Sequence, residues 1–231
     1  MDFIVEGFVQ GIGLILSMDE ETSNIVLTTL QLTGLSMVGI LALGLPLGFA
    51  LGYFEFPGKR IVRTAADTLL SIPTVVVGLL VYAFICRSGP LGDLELLFSI
   101  KGMAIGQLIL GLPIVISYTA SAIEGLDSRL ALTLKTLGAS GAKLAVTSLW
   151  EGRFLILAAA LTSYGRIIGE VGSAMMLGGN IKWHTRTITT AITLETGKGD
   201  FALGIALGVI LLAISLALNI ALSFLRRRAS N

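Results

Sequence analysis

The feature that most constrains this chain is a set of four long runs without a charged side chain: 22–54, 68–86, 102–123 and 201–225. A helix rises about 1.5 Å per residue, so each run is long enough to cross a hydrocarbon core of roughly 30 Å. The runs are too long for core helices of a soluble domain. They predict a protein that spans a membrane.

Composition supports this interpretation and indicates helices rather than a barrel. Of 231 residues, 54% are hydrophobic and 13% are charged, whereas about a quarter of a soluble domain is charged. No ten-residue segment alternates apolar and polar residues as a membrane barrel requires, and backbone groups in lipid must be satisfied internally. We therefore expect an all-α polytopic membrane protein with about five transmembrane helices.

A further predicted span, the fourth in chain order, covers 154–177 and is interrupted by Arg166 and Glu170. These residues are one helical turn apart, so their charges can meet on one face. An unpaired charge at mid-bilayer costs about 3 kcal/mol, so this face must turn toward protein or water. Two interpretations follow: an internal ion pair that fastens two helices, or part of a translocation path or its gate, with Ser163 and Ser173 facing the same cavity.

The distribution of Lys and Arg predicts the orientation. Segments 59–63, 129–153 and 226–228 contain ten of the sixteen cations, whereas the acidic N-terminal segment contains none. Cationic loops stay in the cytoplasm, so these three segments are predicted to be cytoplasmic. The N-terminus is then outside and the C-terminus inside.

The first seventeen residues form a separate apolar segment. They carry Asp2 and Glu6 instead of the basic start of a signal peptide, so we expect no cleavage. Ile4, Phe8, Ile12 and Ile15 fall at helical spacing. The segment is predicted to be an interfacial helix, with a short extra span as the alternative.

Catalytic and cofactor motifs are missing from the sequence. Gly197-Lys198-Gly199 lacks the upstream glycine and the Ser/Thr that a Walker A loop requires. The single histidine, His184, has no nearby imidazole or thiol with which to complete a metal site. The chain is therefore not expected to hydrolyse ATP by itself or to bind a metal ion.

One predicted cytoplasmic loop contains an amphipathic segment, ALTLKTLGASGAKL at 131–144. In a helix, Leu130, Leu134 and Leu137 share a face, and Gly138 can adopt the left-handed conformation that ends the helix. The pattern fits docking of another protein, or a helix that lies at the lipid headgroups with its lysines on anionic lipid. The residues alone do not separate these interpretations.

The run KTLGASGAKLAVTSLW, followed by a span ending in YGRIIGEVG, resembles the cytoplasmic EAA loop of permease subunits of type I ABC importers, particularly those for molybdate and tungstate. Gly138 matches the central glycine, with Thr136-Leu137 and Ala139-Ser140 as its flanks. At the usual Glu-Ala-Ala this chain has Leu132-Thr133-Leu134, which removes a polar contact to the ATPase.

Further motifs extend the resemblance over roughly 30–220. SIPTVVVGLL and GLPIV resemble the proline-containing spans of molybdate-type permeases, and GEVGSAMMLGGNI followed by TRTITTAITLETGKGDF resembles the tungstate branch. Pro46, Pro73 and Pro113 are predicted to lie inside apolar helices and to bend them.

The resemblance implies one permease domain over 1–231, of type I ABC importer architecture, in a prokaryotic inner membrane. It implies a second copy of the chain, an extracytoplasmic binding protein, and an ATPase dimer that docks on a coupling loop at about 126–147 and holds the ATP and Mg²⁺. No cofactor is expected on this chain. The residues that it assigns to the docking surface are Leu130, Leu134, Lys135, Leu137, Gly138, Ala139 and Ser140.

The resemblance suggests tungstate as the substrate, with molybdate or another small solute as the alternative. A secondary transporter driven by an ion gradient is a rival interpretation, but it usually has inverted repeats and several intramembrane carboxylates, and only Glu170 is present here. A membrane assembly factor that binds a partner without transport is a second rival.

Overall fold

The computed structural model describes residues 19–126 and 141–229, together with Val9, Ile12, Gly13 and Thr136. Throughout this described part the regular structure is helical. The helices are α1 (Glu20–Tyr53), α2 (Lys59–Leu69), α3 (Thr74–Ile85), α4 (Ile100–Glu124), α5 (Gly141–Glu151), α6 (Arg153–Ile168), α7 (Gly172–Gly178), α8 (Ile188–Lys198) and α9 (Phe201–Ala229). A short 3-10 turn, Gly92–Leu94, precedes α4.

Three helices, α1, α4 and α9, are long and apolar enough to cross a membrane. Two further spans are possible if each of two bent helix pairs is counted as one: α2 with α3, and 143–151 with α6. The expectation of about five spans agrees with this all-helical structure. The first, third and fifth predicted spans correspond to single helices, whereas the second and fourth are broken.

The break in the second span is the sharper one, because α2 and α3 meet at 99°. Pro73 lies at this break as the residue that precedes α3, so the prediction that it lies inside a helix is wrong. A proline at a helix start loses no internal hydrogen bond, which explains its position. Pro46 and Pro113 do lie inside continuous helices, α1 and α4.

Helices α1 and α4 run parallel and approach closely through glycines on α1. A Cβ atom on Gly48 would lie 2.8 Å from the carbonyl oxygen of Ile116, and one on Gly52 would lie 2.7 Å from that of Ala120. Backbone atoms cannot give way as side chains do, so only glycine permits this spacing. We call the end of the bundle where α1 begins the Glu20 end, and the opposite end the Tyr53 end.

Asp19 caps the first helix at the Glu20 end. Its carboxylate accepts a hydrogen bond from the amide of Thr22 at 3.0 Å, and this bond holds the pKa of Asp19 below its ordinary value. Free amides at a helix start favour a negative charge, which fixes where α1 begins.

The segment after the fourth span contains more structure than the predicted loop. Helix α8 lies within it and packs against α9 and α1. Its first turn is buried. There the amide of Ile188 donates a hydrogen bond to the Thr29 hydroxyl of α1 at 2.9 Å. Thr29 lies nine residues into α1, about 13 Å along the helix. The chain therefore returns into the bundle before α9 begins.

Candidate functional site

A second break, between α6 and α7 within the predicted span 154–177, is organised by the side chain of Glu170. One carboxylate oxygen lies 3.3 Å from a guanidinium nitrogen of Arg166, and the other accepts a hydrogen bond from the amide of Ser173 at 3.0 Å. The Glu170 side chain is 2% exposed, whereas that of Arg166 is 47% exposed. The predicted pair therefore forms. Its carboxylate also accepts a hydrogen bond from an amide in the first turn of α7 that has no partner within that helix.

The same break receives the first turn of α8. Thr189 donates its hydroxyl proton to the carbonyl oxygen of Glu170 at 2.8 Å. Thr187 caps α8, and Thr190 completes a capping box with it. The break thus joins the fourth span to the returning segment through main-chain groups that the end of a helix leaves open.

The predicted serines lie at different places around this break. Ser163 is fully buried and donates to the carbonyl oxygen of Gly111 at 3.2 Å, which joins α6 to α4. Ser173 is also buried, and its hydroxyl has no hydrogen-bond partner within the described residues. The structure therefore brings Arg166, Glu170 and Ser173 together and turns Ser163 toward the neighbouring helix.

A buried amide side chain connects α4 to the end of α6, next to the break between α6 and α7. Gln107 donates to the carbonyl oxygen of Ile167 at 3.1 Å and accepts from the hydroxyl of Ser36 at 2.8 Å. A buried polar group is costly unless it is paired, so these contacts fix the register of three helices. Gln107 was not among the predicted site residues, although it places a polar amide within an apolar run.

A cluster of charges at the Glu20 end also escaped the sequence analysis. Glu21 accepts from Lys182 at 2.7 Å and from Arg186 at 3.0 Å, and Glu195 lies 2.9 Å from Lys198 and 4.0 Å from Arg186. Only one-tenth of the Arg186 side chain is exposed. The cluster joins the start of α1 to the segment around α8, across 165 positions of sequence in the case of Arg186.

A second arginine–carboxylate pair lies toward the Tyr53 end. Arg63 of α2 is 3.4 Å from Asp67 and donates to the Ser117 carbonyl oxygen of α4 at 2.8 Å. Asp67 accepts from the Ser117 hydroxyl. The spacing of this pair along the chain equals that of Arg166 and Glu170, so the signal was present in the sequence.

The predicted docking residues Leu130, Leu134, Lys135, Leu137, Gly138, Ala139 and Ser140 lie outside the described residues. Between positions 127 and 140 only Thr136 is described, and it is helical and exposed. Helix α5 follows, and its 143–151 portion meets α6 at 60°.

The structure offers no metal centre in the parts of the chain that it describes, since no group of three His, Cys, Asp or Glu side chains gathers there. His184 lies exposed in a turn.

A model of the family described as binding-protein-dependent transport system inner membrane component matches residues 44–231. This chain belongs to that family. It is a transport component rather than an enzyme, and ATP hydrolysis resides in a separate subunit.

Two relatives of this inner membrane component cover most of its length. The tungstate uptake system permease protein TupB of Campylobacter jejuni is 47% identical over 206 residues, which are 89% of this chain and 86% of the relative. A probable anion ABC transporter permease protein of Haloferax volcanii is 42% identical over 170 residues, which are 71% of this chain and 73% of the relative.

A solved structure shows the same fold. The inward-facing MetNI methionine ABC transporter superposes with a TM-score of 0.74 at 17% identity, over 93% of this chain and 99% of the other. The fold of this inner membrane component is therefore that of type I ABC importer permeases.

Proposed function

We propose that this permease subunit passes tungstate from an extracytoplasmic binding protein across the cytoplasmic membrane. The observation that carries the proposal is the 47% identity, over most of both chains, to a permease of a tungstate uptake system. Tungstate is a tetrahedral dianion, so its path must offer hydrogen-bond donors without a deep electrostatic trap.

Two copies of the chain form one path in this proposal, and two copies of a separate ATPase dock on their coupling loops around Gly138. ATP and Mg²⁺ belong to the ATPase, and this chain binds no cofactor. The cationic segments 59–63, 129–153 and 226–228 support cytoplasmic placement of the Tyr53 end, with the N-terminus outside. The family and the ABC importer fold support the kind of partner.

ATP-driven closure of the ATPases moves the coupling loops and switches the path between inward-open and outward-open states. We place Arg166 and Glu170 at the gate of this path. Geometry supports this placement, because the half-exposed Arg166 lies at a break in the span and its buried partner, Glu170, contacts the next helix. A bent, paired segment of this kind can change its conformation without unfolding a continuous helix.

The test is ATP hydrolysis and uptake by the permease reconstituted in liposomes with its ATPase and binding protein. Tungstate should stimulate hydrolysis more than molybdate or sulfate does, and uptake should require ATP. Greater stimulation by molybdate would move the substrate to that ion. Uptake that survives removal of the ATPase would instead support a secondary transporter, and partner binding without substrate-dependent hydrolysis would support an assembly factor.

A further inference from the structure

A cavity of about 290 Å³ lies between α4 and α6, in their halves nearer the Tyr53 end. Tyr118 and Ser121 of α4 line it on one side, and Ala158 and Thr162 of α6 line it on the other. Both helices therefore contribute hydroxyl groups to its wall. A water molecule takes about 30 Å³ of liquid, so the cavity has room for a small anion with several waters.

Arg63 is connected to this cavity through Ser121, although it does not itself line the wall. Its guanidinium donates to the carbonyl oxygen of Ser117 at 2.8 Å and to the hydroxyl of Ser121, while its Nε atom lies 3.4 Å from Asp67. A hydroxyl that accepts a hydrogen bond keeps its own proton for donation. Ser121 therefore joins a fixed positive charge to a donor at the cavity wall.

Arg166 is close to the α6 wall of the cavity along the helix, although it does not itself line the cavity. It follows Thr162 by one turn on α6, so the two side chains lie on the same face of that helix. The guanidinium of Arg166 is half-exposed, whereas the carboxylate that pairs with it is buried. The cavity wall, in which three hydroxyl-bearing residues stand among apolar ones such as Ala122, Leu155 and Ala159, thus has an arginine near each side, and each arginine is held by a carboxylate four residues later in its helix.

A second cavity continues this polar surface. It has a volume of about 280 Å³, shares Thr162 with the first cavity, and is also lined by Gly165, Ser215 and Asn219. The Asn219 side chain is exposed and donates to the carbonyl oxygen of Ser215 at 2.9 Å. Polar groups of α9 therefore extend the surface along α6.

The depth of these groups argues against lipid on this face. Ser117, to which Arg63 donates, lies seven residues before the end of α4, about 10 Å along the helix. Charged and amide side chains that face hydrocarbon are strongly disfavoured. The face therefore meets water or protein.

We propose that this surface, defined by Arg63, Tyr118, Ser121, Thr162 and Arg166, is a transient binding site for a tetrahedral oxyanion dianion on its way through the permease. The inference rests on the proposed function and assigns residues to it. The hydroxyls of Tyr118 and Ser121 and the guanidinium groups donate to such an anion, whereas the Thr162 proton is held by the Ala158 carbonyl oxygen. Asp67 and Glu170 are already engaged by their arginines. The paired carboxylates keep the local charge low, so the anion can leave again.

The first experiment compares two sets of hydroxyl removals in the reconstituted transporter. Thr162 donates to the carbonyl oxygen of Ala158 at 2.8 Å, and Thr193, outside the proposed surface, makes the same bond to Thr189 at 3.0 Å. We expect Ser121→Ala combined with Tyr118→Phe to lower kcat/KM for tungstate at least about tenfold, because two hydroxyl donors to a charged ligand are lost, whereas the Thr162 and Thr193 protons are held within their own helices. Thr193→Val should transport tungstate normally. Equal transport by the two variants would overturn the inference.

A second measurement probes the surface without relying on turnover. In a Cys86→Ser background, Ser121→Cys should react faster with the anionic reagent 2-sulfonatoethyl methanethiosulfonate than with its trimethylammonium analogue. Tungstate should slow the anionic reaction at least about threefold, because bound anion and reagent compete for one site. Val38→Cys is the control: Val38 is 69% exposed on the apolar helix α1, so neither aqueous reagent should reach it through lipid.

The outcomes separate this inference from the function on which it rests. If the unaltered transporter takes up tungstate but tungstate does not slow labelling of Ser121→Cys, the binding surface is wrong and the proposed function stands. If no oxyanion stimulates the unaltered transporter, the proposed function and the inference both fall.

Discussion

At the residue scale, Glu170 shows why a charge is retained inside an apolar span. Its carboxylate pairs with Arg166 and also accepts the Ser173 amide. Removing a partner of this carboxylate leaves Glu170 buried away from water without the interaction that compensates for its lost hydration. Substitutions at Arg166 and Glu170 can therefore distinguish a gating role of the pair from a purely structural one.

We predict that Arg166→Met damages the permease more than Arg166→Met combined with Glu170→Gln. The single change strands a buried carboxylate, whereas glutamine stays neutral and still accepts the Ser173 amide. The expected loss in the single variant is about 2 kcal/mol, below the range for fully buried pairs because Arg166 is half-exposed. Thermal unfolding in detergent and tungstate uptake measure it, with exposed Arg87→Met as the control. Equal defects in the single and double variants would mean that the two charges act separately.

Gly48 offers a second test at this scale. Gly48→Ala places a methyl group against the Ile116 carbonyl of α4, so we expect destabilisation of about 1–3 kcal/mol. Gly34→Ala on the same helix meets nothing within 4 Å, so it should be neutral or slightly stabilising. Unfolding temperatures of the two variants can be compared directly. Equal temperatures would contradict the close approach of α1 and α4.

At the scale of elements, the working parts of this fold are helices that stop inside the bundle. Helices α3, α7 and α8 are 12, 7 and 11 residues long, each too short to span a bilayer alone. The open starts of α7 and α8 are satisfied by the side chains of Glu170, Thr187 and Thr29. Broken helices of this kind are tolerated in a membrane only where protein or a watery cavity surrounds the break.

Thr29→Val tests the docking of α8. The change leaves the buried Ile188 amide without its acceptor, and we expect a loss of stability of about 1–3 kcal/mol. Thr29 and Thr193 each donate to the carbonyl four residues earlier, so Thr193→Val removes the same local bond without stranding an amide. A melting temperature for Thr29→Val that matches the Thr193→Val control would show that α8 docks by other contacts.

At the scale of the whole molecule, charge clusters lie at both ends of the bundle. Glu21, Lys182 and Arg186 connect distant segments at the Glu20 end, and Lys59 contacts both Glu55 and Glu124 at the Tyr53 end. Between these ends the broken fourth span lies beside the cavity between α4 and α6. The arrangement is suited to alternating movements, because the contacts that would change are ion pairs and helix ends rather than a continuous apolar core.

Gly138→Pro tests the proposed connection to the ATPase. Proline cannot adopt the left-handed conformation expected at the centre of the coupling loop, so the variant should insert into the membrane but fail to retain the ATPase. Co-purification from detergent measures the effect, and Gly141→Ala, at the start of α5 where a Cβ atom meets nothing within 4 Å, is the control. Normal ATPase retention with full transport would contradict the coupling role of Gly138.

Sequence by itself determined the features that depend on local composition. Uncharged runs predicted the membrane-spanning class, helical spacing predicted the Arg166–Glu170 pair, and motif order indicated the family, which the match over 44–231 confirms. Tertiary structure alone decided where the spans break, that α8 returns to Thr29, and that Arg63 meets Ser121 across 58 positions. The physical reason is that hydropathy and helical periodicity act within one segment, whereas a cavity or a buried pair depends on segments that only packing brings together.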